Sequence, residues 1–317
     1  MKVFHGLEER PVFPDGTALA IGNFDGLHLG HQEILRFLVD KARERKLVSL
    51  VLTFSPHPER VLGGGRTAMI QTLEQRLAGI RASGVEAVLL AGFSKAFADL
   101  SVKEFVSRII VAGLKAKEVI IGENFRFGRG RQGDVDDLSQ YGRKLGFSVH
   151  PRQAVFRNGQ IVSSSRIRSL LQAGNIITAN RLLGYPYLLE GRVIRGRGRG
   201  RDLGFPTANI RADNEIAPPG VHLTLAQIQG RLYPSLTNSG YRPTFGAGPA
   251  QIETYVFDFK GALYRRKIAL HFLRKLRKEK RFPGADELAR QIRRDVAASR
   301  LYFEKNASAL EMIRVSP

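Results

Sequence analysis

The feature that most constrains this chain is a change of rhythm near residue 185. Before it, short apolar runs of β type alternate with helical patterns: Ala18-Leu19-Ala20-Ile21, a helical stretch from Ile34 to Arg43, then Val48 to Phe54. Further strands are predicted at Ala87 to Leu90 and Val119 to Ile121, with helices at Leu73 to Ala82 and Val102 to Leu114. This alternation predicts right-handed βαβ crossovers and an α/β doubly wound parallel sheet. The segment closes on a helix from about Arg166 to Leu171, capped by Ser165 and ended by Gly174, and on Ala179 to Leu183. After Leu183-Gly184-Tyr185-Pro186, Gly and Pro cluster and the apolar runs are β-type with no helices between them. Candidate strands are Gly191 to Arg195, Leu223 to Ile228, Leu232 to Thr237, Ile252 to Phe259 and Lys267 to Leu273, with Lys260-Gly261 as a hairpin turn before the last. Such spacing predicts a small antiparallel β-barrel. An amphipathic C-terminal helix, roughly Asp286 to Glu304, packs on it through Leu288, Ile292, Val296 and Tyr302 or Phe303. The expected domains are 1–185 and 186–317, a division that suits 317 residues.

Charge narrows the partners. The chain has 50 Lys and Arg against 29 Asp and Glu, a formal net charge of +21, which calls for anions: nucleic acid, nucleoside triphosphates or phosphorylated substrates. Composition does not separate these. With no cysteine, disulfides and thiolate metal sites are excluded. No apolar run approaches the roughly 18 residues of a membrane span, and the first residues lack the basic start and apolar stretch of a secretory signal. The expectation is a cytoplasmic protein with no membrane partner; a homo-oligomer is left open.

In the first half, Gly22-Asn23-Phe24-Asp25-Gly26-Leu27-His28-Leu29-Gly30-His31 stands where a strand hands over to a helix. Histidines three residues apart at a helix start project to one side, near the partly positive N-terminus, and the glycines let backbone approach an anion. The segment reads as a phosphate cradle, with helix capping as the plain alternative. Metal ligation is the weakest reading, since no nearby carboxylates complete a ligand set. Nucleotidyl transfer fits such a cradle because it needs no protein nucleophile, only positioning and charge neutralisation. Ser163-Ser164-Ser165-Arg166-Ile167-Arg168 offers hydroxyls and guanidiniums at another helix start, for phosphate or for capping. Phe125 and Phe127, in Gly122-Glu123-Asn124-Phe125-Arg126-Phe127-Gly128, could stack on a planar heterocycle or belong to the core.

In the second half, Gly196-Arg197-Gly198-Arg199-Gly200-Arg201 is a cationic glycine-rich loop that suits either loose RNA binding or a lid over ATP phosphates. In the lid reading Thr207 and Asn209, two apart on extended chain, point one way and offer oxygens to a Mg²⁺-nucleotide. Glu253 lies in an otherwise apolar strand, as a base for an alcohol or as part of a surface face with Gln251 and Tyr255. The basic stretch Arg274 to Arg281 reads as a solvated face.

Taken in order, GNFDGLHLGH, TFSPHP (Thr53 to Pro58), GENFRFG, SSSRIR, GRGRGRDLGFPTAN, Arg242 to Gly246, Glu253-Thr254, and Phe272 to Arg274 with Arg277 resemble the bacterial bifunctional riboflavin kinase/FMN adenylyltransferase (FAD synthetase) family over nearly the whole chain. The resemblance implies a nucleotidyltransferase domain followed by a riboflavin kinase-like barrel. The second domain would phosphorylate riboflavin to FMN with Glu253 as base. Thr207 and Asn209 would hold Mg²⁺ and ATP, the loop positions Gly196, Gly198, Arg199, Gly200 and Arg201 would line the ATP, and Arg274 and Arg277 would lie near the flavin. The first would join FMN to AMP from a second ATP, giving FAD and pyrophosphate. There His28 and His31 would act on the triphosphate, with Gly22, Asn23, Phe24, Ser164 and Arg168 around the ATP and Phe54, Asn124, Phe125 and Phe127 near the FMN. His222, Ser239 and Tyr255 differ from the family's usual Tyr, Ile and His, which raises the alternative of an adenylyltransferase with a weak or inactive kinase half. A basic nucleic-acid-binding protein is the remote third reading.

Overall fold

The computed structural model describes residues 1–9, 12–63, 67–196, 200, 204–240 and 251–306. Its contacts group into two compact units, one formed by Met1–Thr67 and Leu73–Val162, the other by Ala68–Thr72 and the chain from Ser163 onward.

The first unit carries a six-stranded parallel sheet of β1 (Lys2–His5), β2 (Thr17–Ile21), β3 (Val48–Phe54), β4 (Ala87–Ala91), β5 (Ala116–Gly122) and β6 (Ser148–Arg152), in the order β1-β4-β3-β2-β5-β6. Its helices are α1 (Leu29–Arg45), α2 (Pro58–Leu62), α3 (Leu73–Ala82), α4 (Lys95–Ala98), α5 (Val102–Glu104), which runs on as a π-helix over Phe105–Gly113, and α6 (Val135–Leu145). A short hairpin, β7 (Phe156–Arg157) and β8 (Gln160–Ile161), follows the sheet.

The central strands read as unbroken apolar runs because both faces are covered. Leu19, Ile21, Leu50, Leu52 and Leu89 pack in one cluster with Phe105, Val106 and Ile110. Ala18, Ala20, Val51, Val88 and Ile120 pack in another with Leu35, Leu38 and Ile80. Each such leucine contributes about 1.5–3 kcal/mol. The edge strands β1 and β6 are only partly buried, so their sequences carry no comparable run. Neither is predicted above.

Chain direction fixes where a ligand can sit. From β2 the chain moves outward through β3 and β4, then returns to place β5 on the other side of β2. The reversal lies between β2 and β5, and in open α/β sheets the crevice for ligands opens at the carboxyl ends of such strands.

The second unit is a closed barrel of β9 (Tyr187–Ile194), β10 (Ala208–Ala212), β11 (Gly220–Ile228), β12 (Arg231–Gly240), β13 (Gln251–Val256) and β14 (Lys267–Arg277), in the order β10-β13-β12-β11-β14-β9, every pairing antiparallel. Two expectations need correction. Lys260-Gly261 turns no hairpin, because β14 lies between β11 and β9 while β13 lies between β10 and β12. The helix expected to start after Ser165 is α7 (Ser164–Gln172), and its cap is Ser163, whose extended backbone lets Oγ accept from Arg166 N.

α8 (Ile176–Leu183) is tied to the barrel by Asn180, which donates to Phe272 O at 2.8 Å and accepts from Tyr187 N at 2.8 Å. These bonds are one reason residues 163–185, expected with the first domain, group with the second unit. The C-terminal helix α9 (Ala285–Lys305) buries Ala289, Asp295, Ser299 and Phe303. Among the described residues no helix is long and apolar enough to cross a membrane.

Candidate functional site

Each unit presents one constellation of the residues singled out above. In the first unit, β2 ends at Ile21 and the chain turns through Phe24 (φ 52°), Gly26 (φ 85°) and Leu27 (φ 35°) before α1 begins. Left-handed backbone at Phe24 and Leu27 is strained, and strain of this kind persists only where surroundings enforce it. Arg76 of α3 supplies part of that force. It is 7% exposed and donates through Nη1 to Asn23 O at 2.8 Å and through Nη2 to Phe54 O at 3.0 Å, clamping the loop to the end of β3. Thr53 Oγ1 donates to Asn23 O as well. Arg76 did not stand out in the sequence, where it is one of 50 cationic residues.

His28 caps α1, its Nδ1 accepting from His31 N at 3.3 Å. Acceptance at Nδ1 puts the ring proton of neutral His28 on Nε2. Capping and a role in phosphate binding are therefore compatible, because the cap fixes the tautomer that leaves a donor available. The two rings stack at 3.7 Å between centroids, and Phe24 lies 5.1 Å from His31. Burial pushes the His28 pKa down to about 4. Burial, followed by the proximity of His28 and Arg76, holds His31 well below the usual range. Both imidazoles are neutral donors at neutral pH.

Phe54 ends β3 and begins a chain of aromatic contacts: Phe54 to Phe97 at 5.6 Å, Phe97 to Phe105 at 6.1 Å, Phe105 to Phe127 at 5.3 Å and Phe127 to Phe125 at 5.6 Å. Phe127 is buried in the core, Phe125 is half-buried and Asn124 is exposed. Ser164 and Arg168 lie on α7, in the second unit.

A cleft in the first unit, about 880 Å³, gathers Arg45, Lys46, Lys117 and Arg143 at the amino ends of β5 and β6. It holds none of the residues above.

In the barrel, a cleft of about 1090 Å³ is lined by Gly196, Gly200, Thr207, Asn209, Glu253 and Arg277 together with Asn238, Tyr255 and the α9 residues Leu288 and Ile292. Strand register explains the gathering. Glu253 of β13 stands opposite Asn209 of β10 on one side and Asn238 of β12 on the other. Ile252, Thr254 and Val256 are buried while Gln251, Glu253 and Tyr255 all line the cleft. The face that alternation assigned to Glu253 is thus the cleft wall.

Gly196 is required by close approach, since a Cβ there would lie 2.0 Å from Asn209 Nδ2. At Gly200 it would meet Phe205 O at 2.4 Å and Thr207 Oγ1 at 3.0 Å. Gly198, Arg199 and Arg201 lie outside the described residues, as do Arg242 to Gly246. Arg274 is exposed on β14 and is not among the residues lining the cleft.

His222 and Ser239, which differ from the family's usual residues, are fully buried and both bond to Pro218 O. Neither lines the cleft; Tyr255 does, edge-on to Phe205 at 5.6 Å. Sequence reasoning missed Asn238, in a row whose register only the fold reveals, and Asp295, which occupies a helix face expected to be apolar. Among the described residues, no group of three or more His, Asp or Glu side chains is placed to hold a metal ion.

Comparison with known proteins agrees with this division. The family model for FAD synthetase matches residues 11–166, and that for riboflavin kinase matches residues 183–303. A bifunctional riboflavin kinase/FMN adenylyltransferase of Pseudomonas fluorescens is 38% identical over 95% of this chain and 97% of its own. The protein of the same name from Escherichia coli (strain K12) is 35% identical over 96% of this chain and 98% of its own. A crystal structure of a protein named macrolide-efflux protein, from Streptococcus pneumoniae, superposes with a TM-score of 0.87 at 28% identity, covering 95% of this chain and 99% of that one. The likeness to it is one of fold, and the efflux name is that protein's own. By two family models and by identity along nearly its whole length, the chain belongs to the bifunctional riboflavin kinase/FMN adenylyltransferase family.

Proposed function

We infer that the chain makes FAD in two steps: phosphorylation of riboflavin to FMN by residues 186–317, and transfer of AMP from ATP to FMN by residues 1–185. The observation that carries this reading is the cross-strand row Asn209, Glu253 and Asn238 inside a cleft that also holds Thr207 and Gly196.

In the kinase step, Glu253 accepts the proton of the ribityl hydroxyl as its oxygen attacks the γ-phosphorus of ATP. The new O–P bond forms as the bond to the β-γ bridging oxygen breaks, and ADP leaves. Thr207 and Asn209 offer a hydroxyl and an amide oxygen at one end of this row, hard donors of the kind Mg²⁺ selects. Mg²⁺ held there with ATP would supply neutralisation of the phosphate oxygens. The backbone at Gly196 and Gly200 packs directly on Asn209 and Thr207 and so fixes both donors. That His222 and Ser239 lie off the cleft supports an active kinase half.

In the adenylyl step, an FMN phosphate oxygen attacks the α-phosphorus of ATP and pyrophosphate leaves. The site acts by positioning, with no protein nucleophile. His28 donates from Nε2 to the triphosphate, His31 stacks behind it, and Arg76 holds the Gly22 to Phe24 loop. Phe54 and Phe125, with Asn124, are assigned to the flavin side, while Phe127 supports Phe125 from the core. Ser164 and Arg168 are assigned to phosphate on the resemblance of the SSSRIR segment alone.

Incubation of the purified chain with riboflavin, ATP and Mg²⁺, followed by chromatography of the flavins, tests the reading. FMN should form first and FAD after it. Formation of FAD from added FMN but no FMN from riboflavin would reduce the barrel to a flavin-binding module.

A further inference from the structure

We propose that Asp295 is a positioning residue for the kinase reaction: it aims the Arg277 guanidinium at the uncharged ring system of the flavin. This rests on the kinase reading above. Arg277 is the last residue of β14 and lines the cleft. Its Nε donates to Asp295 Oδ2 at 2.9 Å and to Oδ1 at 3.2 Å, its Nη2 pairs with Oδ2 at 2.8 Å, and its Nη1 donates to Lys278 O at 3.0 Å. The remaining N–H groups of the fork have no place in this network and are free to meet a ligand.

Asp295 is itself held. Gln291 Nε2 donates to Oδ1 at 2.8 Å, and Ser299 Oγ donates to the Asp295 carbonyl at 2.6 Å. Only 4% of Asp295 is exposed, on a helix face that otherwise buries Ala289, Ser299 and Phe303. A carboxylate in such a position gives no net stability over an apolar residue, because desolvation offsets the attraction. What the pair does supply is one fixed orientation for a planar fork.

The pairing also decides the ligand. Asp295 cancels the charge of Arg277, so the exposed edge of the guanidinium offers hydrogen bonds without a net positive field. That suits the carbonyl oxygens and ring nitrogens of a neutral heterocycle better than a phosphate. Its surroundings agree: Phe282, whose ring centre lies 5.8 Å from the guanidinium carbon, lines the same cleft with Leu288 and Ile292. The glycines and Thr207 that suit phosphates contribute other parts of the wall.

The test is steady-state kinetics on the full chain. Asp295→Asn should raise the KM for riboflavin about tenfold or more, the loss expected when a charge-assisted arm is released. The KM for ATP and the rate of FAD formation from FMN should stay unchanged. In an Arg277→Gln background, Asp295→Asn should add no further rise, since its effect passes through Arg277. Equal rises in both kinase KM values, or an undiminished effect in the Arg277→Gln background, would overturn the proposal. If Asp295→Asn does not fold, Gln291→Leu, which removes only the second donor to Oδ1, should give a smaller rise in riboflavin KM alone. An unchanged value would again overturn it. Wild-type chain that makes no FMN would instead remove the kinase reading itself, so the two failures are distinguishable.

Discussion

The two constellations assigned to nucleotide are built in opposite ways. In the first unit the donors are uncharged: buried His28 and partly buried His31 are stacked and held neutral, on a loop whose strained backbone Arg76 clamps. In the barrel the polar groups stand abreast on neighbouring strands, half-buried along the cleft wall, and the half-buried Arg277 is paired with Asp295. Pre-organisation comes from loop packing in one and from sheet register in the other. A change in the first site should therefore disturb stability and activity together, whereas a change in the row of the second should disturb chemistry with little effect on folding.

The largest effect should come from Glu253→Gln. Removing the base should lower FMN formation by about 10²–10⁴-fold, with the melting temperature and the rate of FAD formation from supplied FMN unchanged. A parallel loss of stability would erase the contrast drawn between the sites. His28→Ala should lower FAD formation by about 10²–10³-fold, the range for loss of one pre-organised donor, while FMN formation continues at the wild-type rate. It should also destabilise the chain by about 1 kcal/mol through loss of the helix cap, measurable by urea denaturation.

Arg76→Met should cost about 1–3 kcal/mol, chiefly for the Phe54 oxygen, since Asn23 O keeps its bond from Thr53 Oγ1. FAD formation should fall with it and FMN formation should not. A further effect is on pH dependence. The pKa of His28, like those of His222 and His271, is pushed down to about 4 by burial, from an unfolded value near 6.5. Between those values the unfolded chain binds more protons, so stability is complete above about pH 6.5 and is lost progressively as pH falls toward 4. Thermal melts across that window should show the decline, and His222→Gln should make it shallower.

Legibility in the sequence follows the same contrast. GNFDGLHLGH is contiguous, so its role at a strand-to-helix handover could be read directly, and the central strands β2 to β5 announce themselves as apolar runs buried on both faces. The edge strands β1 and β6 do not. The kinase cleft draws residues from β10, β12, β13, β14 and α9; local pattern marks Gly196, Gly200, Thr207, Asn209 and Glu253, whereas Arg277, which it reads as part of a solvated basic face, is marked by the resemblance alone. β10 reads Ala-Asn-Ile-Arg-Ala, buried at only two positions and without an apolar run, so it does not declare itself beside the glycine-rich loop. Asn238 joins the row through register alone. Asp295 was hidden by helical periodicity, which predicts an apolar residue where a buried partner for Arg277 stands. The hairpin at Lys260-Gly261 failed for a related reason, since local turn chemistry does not report that another pair of strands separates β13 from β14.

The central claim is that one chain carries two independent sites joined by FMN as a released intermediate. Mixing the two single variants tests it most directly. Neither Glu253→Gln nor His28→Ala alone should convert riboflavin and ATP to FAD. Combined in one tube with Mg²⁺, the His28→Ala chain should make FMN and the Glu253→Gln chain should turn it into FAD. FMN that accumulates with no FAD, or a mixture that makes neither flavin, would contradict the account.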